Sequence, residues 1–132
     1  MAYFRTAMSS SRAGKHRPVS REAAKQCLRS VAPEVAYCGD LKSALSAVKE
    51  YKNKLFACEF AAESEADISS LSGSTALVVG SEGGFSREEE ASAKEFGFAS
   101  VTLGKRILRA ETAAVALTAV TMFALGELGR KA

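Results

Sequence analysis

One short run constrains this chain more than any other. Thr75-Ala76-Leu77-Val78-Val79 carries no charge, is rich in β-branched residues and stops at Gly80. Such a run suits a strand buried on both faces of a parallel sheet. A glycine-rich turn follows, Gly80-Ser81-Glu82-Gly83-Gly84-Phe85, and then Ser86 stands three residues before Glu89, the spacing of a capping box. Glu88, Glu89 and Glu90 all fall in the first turn, where the positive end of the helix dipole favours them. A buried strand therefore runs through a glycine loop into a capped helix, and open α/β sheets place their ligands at such junctions. Glycine there lets the backbone approach a ligand closely and take positive φ. By itself the loop reads more readily as a simple tight turn. It lacks both the Lys-Ser/Thr of a phosphate-cradling loop and the spacing of a dinucleotide fingerprint.

The rest of the chain alternates in the same manner. Residues 1–19, with Ser9, Ser10, Ser11, Gly14 and Pro18, are expected to form a loop or arm, with regular structure beginning near Ser20. From there Ala23, Ala24, Cys27, Leu28 and Val31 share one helical face, Arg21, Lys25 and Arg29 the other, and Pro33 closes the segment. Residues 34–38 are a short strand candidate. Asp40 is placed to cap a helix carrying Leu41, Ala44, Leu45, Val48 and Tyr51. A strand over 55–60, a turn of helix over 67–71, a helix from Ser86 to about Phe96, a strand over 99–103 and a last helix from near Ala110 to about Leu128 complete the pattern. This order predicts an α/β fold with a largely parallel sheet. At 132 residues the chain fits one domain with a substantial core.

Charge and cysteine content narrow the function. The net charge of +3 is mild, but Arg5, Arg12, Lys15, Arg17, Arg21, Lys25 and Arg29 crowd the first thirty residues, a flank able to meet phosphate or to remain a solvated arm. Cys27, Cys38 and Cys58 match neither a zinc pattern nor a C-x-x-C redox motif, and read as buried free thiols. No metal is expected. No signal peptide is evident, and the longest apolar run, residues 113–125, is too short for a bilayer, so a cytoplasmic protein is expected. His16 lies alone among serines and arginines and receives no role. Ser86 is explained by its capping position.

A second loop resembles the first in placement. Leu103-Gly104-Lys105-Arg106-Ile107-Leu108-Arg109-Ala110-Glu111-Thr112-Ala113 also joins a strand to a helix and sets three cations beside an Ile-Leu pair. Ile107 and Leu108 either plug the core below or wall a flat ring, while Glu111 and Thr112 stand in the first helical turn, where capping is the ordinary role.

Together, Gly-Ser-Glu-Gly-Gly-Phe-Ser at 80–86 and Leu-Gly-x-Arg-Ile-Leu-Arg-x-Glu-Thr-Ala at 103–113 resemble the signature of the methyltransferases that modify N3 of a uridine in 16S rRNA. Glu22-Ala23-Ala24-Lys25-Gln26-Cys27 and Arg29-Ser30-Val31-Ala32-Pro33-Glu34-Val35 are similar to the first helix and following strand of the same domain, so the likeness spans roughly residues 20–128. It implies a SPOUT-type α/β knot, trefoil-knotted, with a mostly parallel sheet flanked by helices. It also implies S-adenosylmethionine as cofactor, 16S rRNA or the small ribosomal subunit as partner, and a homodimer with the uncharged last helix near the interface. Full-length members begin with an RNA-binding barrel and a first strand. The expected organisation is thus an arm or remnant of a preceding element at 1–19 and the knotted domain at 20–132, without the barrel.

On the matching positions the resemblance assigns cofactor contacts to the backbones of Gly80, Gly83, Leu103, Gly104 and Leu108. Glu82, Gly84, Ile107 and Thr112 help to shape the pocket, and Phe60 stands at its remaining wall. Arg109 is the expected cation beside the uracil ring and Glu111 a proton acceptor or orienting group. Two alternatives stay open. Ser81 stands where the uridine-N3 group more often has proline, and a Gly-Ser-Glu-Gly loop also occurs in knotted ribose 2'-O-methyltransferases. A catalytically silent cofactor-binding or dimerisation module is the other.

Overall fold

The structure, a computed structural model, describes residues 10–28, 32–58, 64–80, 84–104 and 108–129. The chain divides into two compact units, one ending at Ala47 and one beginning at Val48.

The first unit holds helix α1, Ser10–Gln26, and helix α2, Leu41–Ala47. The expected arm is thus helical from Ser10, with Pro18 inside the helix rather than before it. An internal proline lacks an amide donor and costs about 3 kcal/mol, so local propensity does not decide this segment. At its other end α1 stops sooner than expected, because Leu28 takes a left-handed φ of 60° and breaks the helical phase. Of the face predicted from Ala23, Ala24, Cys27, Leu28 and Val31, only Ala24 is buried among the described residues; Leu28 is 91% exposed, and Val31 lies outside them. Cys27 is exposed and Cys38 half-buried, so only Cys58 is the buried thiol expected of all three. Residues 34–38 form no strand. The Ser20 hydroxyl donates to the Pro33 carbonyl at 2.9 Å, tying this segment back to α1 by a side chain instead of a ladder. Asp40 caps α2 as its position predicts, accepting from the Ser43 amide at 2.7 Å, and this bond draws its carboxyl below the usual range.

The second unit is built on a parallel three-stranded sheet. Strand β1, Asn53–Ala57, lies between β2, Thr75–Val78, and β3, Ala99–Val101. Leu55 pairs with Leu77 on one side and Ala99 on the other, and Phe56 with Val78 and Ser100. Alternation along β1 sends these two residues to opposite faces. On the Leu55 face, Leu55 and Val101 meet Leu117 of helix α4, Ala110–Ala124, with Ile68, Leu71, Leu77, Val79 and Leu103 packed around them. On the other face the Phe56 ring receives the edge of Phe85, with centroids 5.8 Å apart and planes at 87°. Phe85 leads into helix α3, Arg87–Glu95. Helices therefore follow from both faces of a parallel sheet, the α/β class expected.

Two expectations about strands need correction. In the described sheet β2 is an edge strand, and only Ala76 of its residues is fully buried; the doubly covered strand is β1. Strands and helices also end short of their predicted limits, α4 at Ala124 where Leu125 closes it and Gly126 turns at φ +80°. The helical turn expected at 67–71 is present, as a single 3-10 turn at Ile68–Ser70 capped by Asp67 and closed by Leu71.

Candidate functional site

Because all three strands run parallel and Val78 and Val101 align with Phe56 and Ala57, the chain leaves β1, β2 and β3 at one edge of the sheet. Both sequence-predicted loops open there. Gly80 is half-buried at the exit of β2, and a Cβ built on it would meet the Gly84 carbonyl carbon at 3.0 Å and its Cα at 3.3 Å. Two glycine backbones thus touch and close the neck of the first loop. Gly84 adds a φ of +72°, a conformation that suits glycine. Beyond the neck, buried Phe85 plugs the space over Phe56, and the Ser86 hydroxyl accepts from the Glu89 amide at 3.1 Å as the capping box predicts. Glu82 and Gly83 lie outside the described residues.

The second loop starts differently. Thr102 and Leu103 are half-buried, and Leu103 packs on the Leu55, Val101 and Leu117 cluster. Its side chain is thus committed to the core, leaving its backbone for any ligand. Gly104 has φ +113° and open space where a Cβ would be; its carbonyl accepts from the Thr102 hydroxyl at 3.0 Å. Ile107 lies outside the described residues, as does Phe60 after β1. The chain re-enters at half-buried Leu108 and at Arg109, which occupies the N-cap of α4 with extended φ −61° and ψ 150° and no side-chain capping bond. The Arg109 carbonyl accepts from the Ala113 amide at 2.8 Å, while its exposed guanidinium pairs with no described residue. Glu111 and Thr112 are exposed in the first turn of α4. The geometry therefore gathers Gly80, Gly84, Leu103, Gly104, Leu108, Arg109, Glu111 and Thr112 onto the two strand-to-helix connections at this edge.

Residues the motifs did not mark also belong to the surroundings. Ser64 accepts from the Thr102 amide at 3.0 Å, and the Glu65 amide donates to the Ser100 carbonyl at 2.9 Å. Lys94 of α3 sits 3.1 Å from Glu65 and 3.6 Å from Glu90. The Lys94 ammonium, and secondly Ser100, hold the Glu65 carboxyl below its ordinary range; Glu65 and then Glu90 raise Lys94. Nothing in the local pattern of Ser64 and Glu65 announces these long-range bonds. Among the described residues no group of three or more His, Cys, Asp or Glu could hold a metal ion.

A parallel α/β domain with a closed glycine neck after one strand and an open glycine after another has its two glycine loops at the sheet end where open α/β folds place their ligands. The model of the RNA methyltransferase domain family matches residues 5–122, and the chain belongs to that family. It is 38% identical over 94 residues to the ribosomal RNA small subunit methyltransferase E of Mesomycoplasma hyopneumoniae, covering 71% of this chain and 41% of that protein. Among solved structures, the ribosomal RNA small subunit methyltransferase E of Neisseria gonorrhoeae bound to S-adenosyl methionine superposes with a TM-score of 0.78 at 30% identity, over 95% of this chain and 56% of that one. A putative methyltransferase of Legionella pneumophila in complex with the same cofactor gives 0.75 at 28%, over 90% and 50%. The likeness shows the SPOUT-type fold class expected from the sequence. The chain spans about half or less of the length of these relatives.

Proposed function

We propose that this chain binds S-adenosylmethionine at the carboxyl edge of its sheet and transfers the methyl group to N3 of a uridine in 16S rRNA of the small ribosomal subunit. The observation that carries the reading is the pairing of the Gly80–Gly84 neck with the open Gly104 backbone at one sheet edge, in a member of a methyltransferase family. The residues fit such a ligand. An adenosyl group needs main-chain hydrogen bonds and an apolar wall: the backbones of Gly80, Leu103, Gly104 and Leu108 stand where they can supply the bonds, and the family resemblance assigns the wall and the remaining contacts to Phe60, Glu82, Gly83, Gly84, Ile107 and Thr112. The cofactor contributes a methyl group on a sulfonium, an electrophile that requires no metal. Two of its relatives in the preceding comparison were solved with this molecule bound.

The protein's own task is to hold the acceptor nitrogen in line and keep water out. Uracil N3 carries a proton, and negative charge spreads over the ring as that proton leaves. Arg109 places an exposed guanidinium at the mouth of the second loop, where it stabilises that charge. Glu111, two residues on, takes the proton or orients the base. Exposed Val115 and Phe123 on α4, at 71% and 68%, support a homodimer that covers this helix. A ribosomal RNA substrate places the protein in the cytoplasm in this reading, and no helix among the described residues is long and apolar enough to cross a membrane.

Transfer of labelled methyl to small-subunit RNA, with the product mapped to base or ribose, tests the reading. Arg109→Ala is expected to lower the rate about 10²- to 10³-fold with cofactor binding retained. Label on a ribose 2'-oxygen would transfer the chain to the 2'-O group, and binding without transfer would make it a silent module.

A further inference from the structure

Ser64 and Glu65 stand where the chain returns from the loop after β1. Peptide groups of successive strand residues face opposite sides. The Val101 carbonyl accepts from the Cys58 amide at 3.0 Å and so faces β1, which turns Ser100 and Thr102 outward. Those outward groups are occupied. The Glu65 amide donates to the Ser100 carbonyl at 2.9 Å, the Thr102 amide donates to the Ser64 hydroxyl at 3.0 Å, and that hydroxyl lies 3.5 Å from the Thr102 carbonyl, to which it donates. The Lys94 ion pair grips Glu65 from α3, and Ala66 and Ile68 pack on the Leu55, Val101 and Leu117 cluster.

This strap is thus anchored independently of Ser64, whose hydroxyl makes the last contact before Leu103 and Gly104 leave the sheet. Beyond it, a Cβ on Gly104 would meet no described atom, and among the described residues the carbonyl it presents accepts from the Thr102 hydroxyl within its own turn. The direction of the loop therefore depends on how Thr102 is held. We infer that Ser64 is a positioning residue: by engaging both peptide groups of Thr102 it sets the path of Leu103 and Gly104 and keeps those two backbones in their cofactor-binding form. The inference rests on the reading of this edge as the S-adenosylmethionine site. Ser64 touches no ligand in this role; it acts through Thr102.

Substitution separates the latch from the strap, because Ser64→Ala removes only the hydroxyl and leaves Glu65, Lys94 and the apolar anchors in place. Wild type, Ser64→Ala and Ser64→Thr are compared by amide hydrogen exchange without ligand, by calorimetric titration with S-adenosylmethionine and by thermal melting. Ser64→Ala is expected to speed exchange at Thr102 and weaken cofactor binding roughly five- to tenfold, the scale of one lost hydrogen bond. Exchange in β1 should stay as in wild type, and Ser64→Thr should restore both properties. An unchanged Thr102 amide in Ser64→Ala, an unchanged Kd despite faster exchange, or a failure of Ser64→Thr to restore either would overturn the inference. Should wild type itself take no cofactor, the functional reading fails, and exchange at Thr102 alone then upholds or overturns the latch.

Discussion

Where the chain leaves β2 it is gripped by its own neighbours in sequence, and where it leaves β3 it is held from a distance. Gly80 touches Gly84, Phe85 plugs the sheet and Ser86 caps the next helix, all within seven residues of one another. Thr102 instead depends on Ser64, and α4 begins at Arg109 with no side-chain cap. A self-contained loop can serve as a fixed floor. A loop steered from outside, ending in an exposed cation, suits the side at which the proposed function has a substrate enter and leave.

The sharpest way to break this contrast is to remove the plug. Phe85→Ala deletes a ring that is 7% exposed and packed edge-on against Phe56, with an expected loss of roughly 3–5 kcal/mol by urea denaturation. A loss below about 1 kcal/mol would show that the first loop is not anchored there.

Glycine replacements compare the loops directly and are expected to have intermediate effects. Gly80→Ala pushes a Cβ into the Gly84 backbone and should destabilise the fold by about 1–3 kcal/mol. Gly104→Ala meets no atom and carries only backbone strain, which an open loop can relieve by changing its path; its cost to stability should stay under about 1 kcal/mol while cofactor affinity falls. Equal melting temperatures for the two variants would erase the distinction.

The smallest expected effect is that of pH on the strap. Glu65 is lowered from 4.5 by Lys94 and Ser100, so its contribution is present above that value and fades as pH falls through the lower folded value. Lys94 is raised from 10.5, so its share is complete below that value and is lost as pH rises through the higher folded one. Both side chains are nearly half exposed, so the change should be slight. Protection of the amides at residues 64–66, measured against their intrinsic exchange rates at each pH, should fall at acid pH before the sheet melts, and Lys94→Met should remove this dependence.

What could be read from the sequence follows the same division. Caps at Asp40 and Ser86, the strand runs and the two loops depend on residues a few positions apart, and each was legible as pattern. The start of α1 was hidden because Pro18 and its serines signal a break that the helix overrides. The edge position of β2, the absence of a strand at 34–38 and the bond from Ser64 to Thr102 are set by partners far along the chain, and no local periodicity encodes them. Leu28 departs from its expected face for a narrower reason: one left-handed residue ends the phase on which a helical face depends.

Calorimetric titration of the purified chain with S-adenosylmethionine tests the central claim most directly. The account predicts saturable binding by wild type, retained in Arg109→Ala and weakened in Gly104→Ala. A well-folded chain that takes up no cofactor would contradict it.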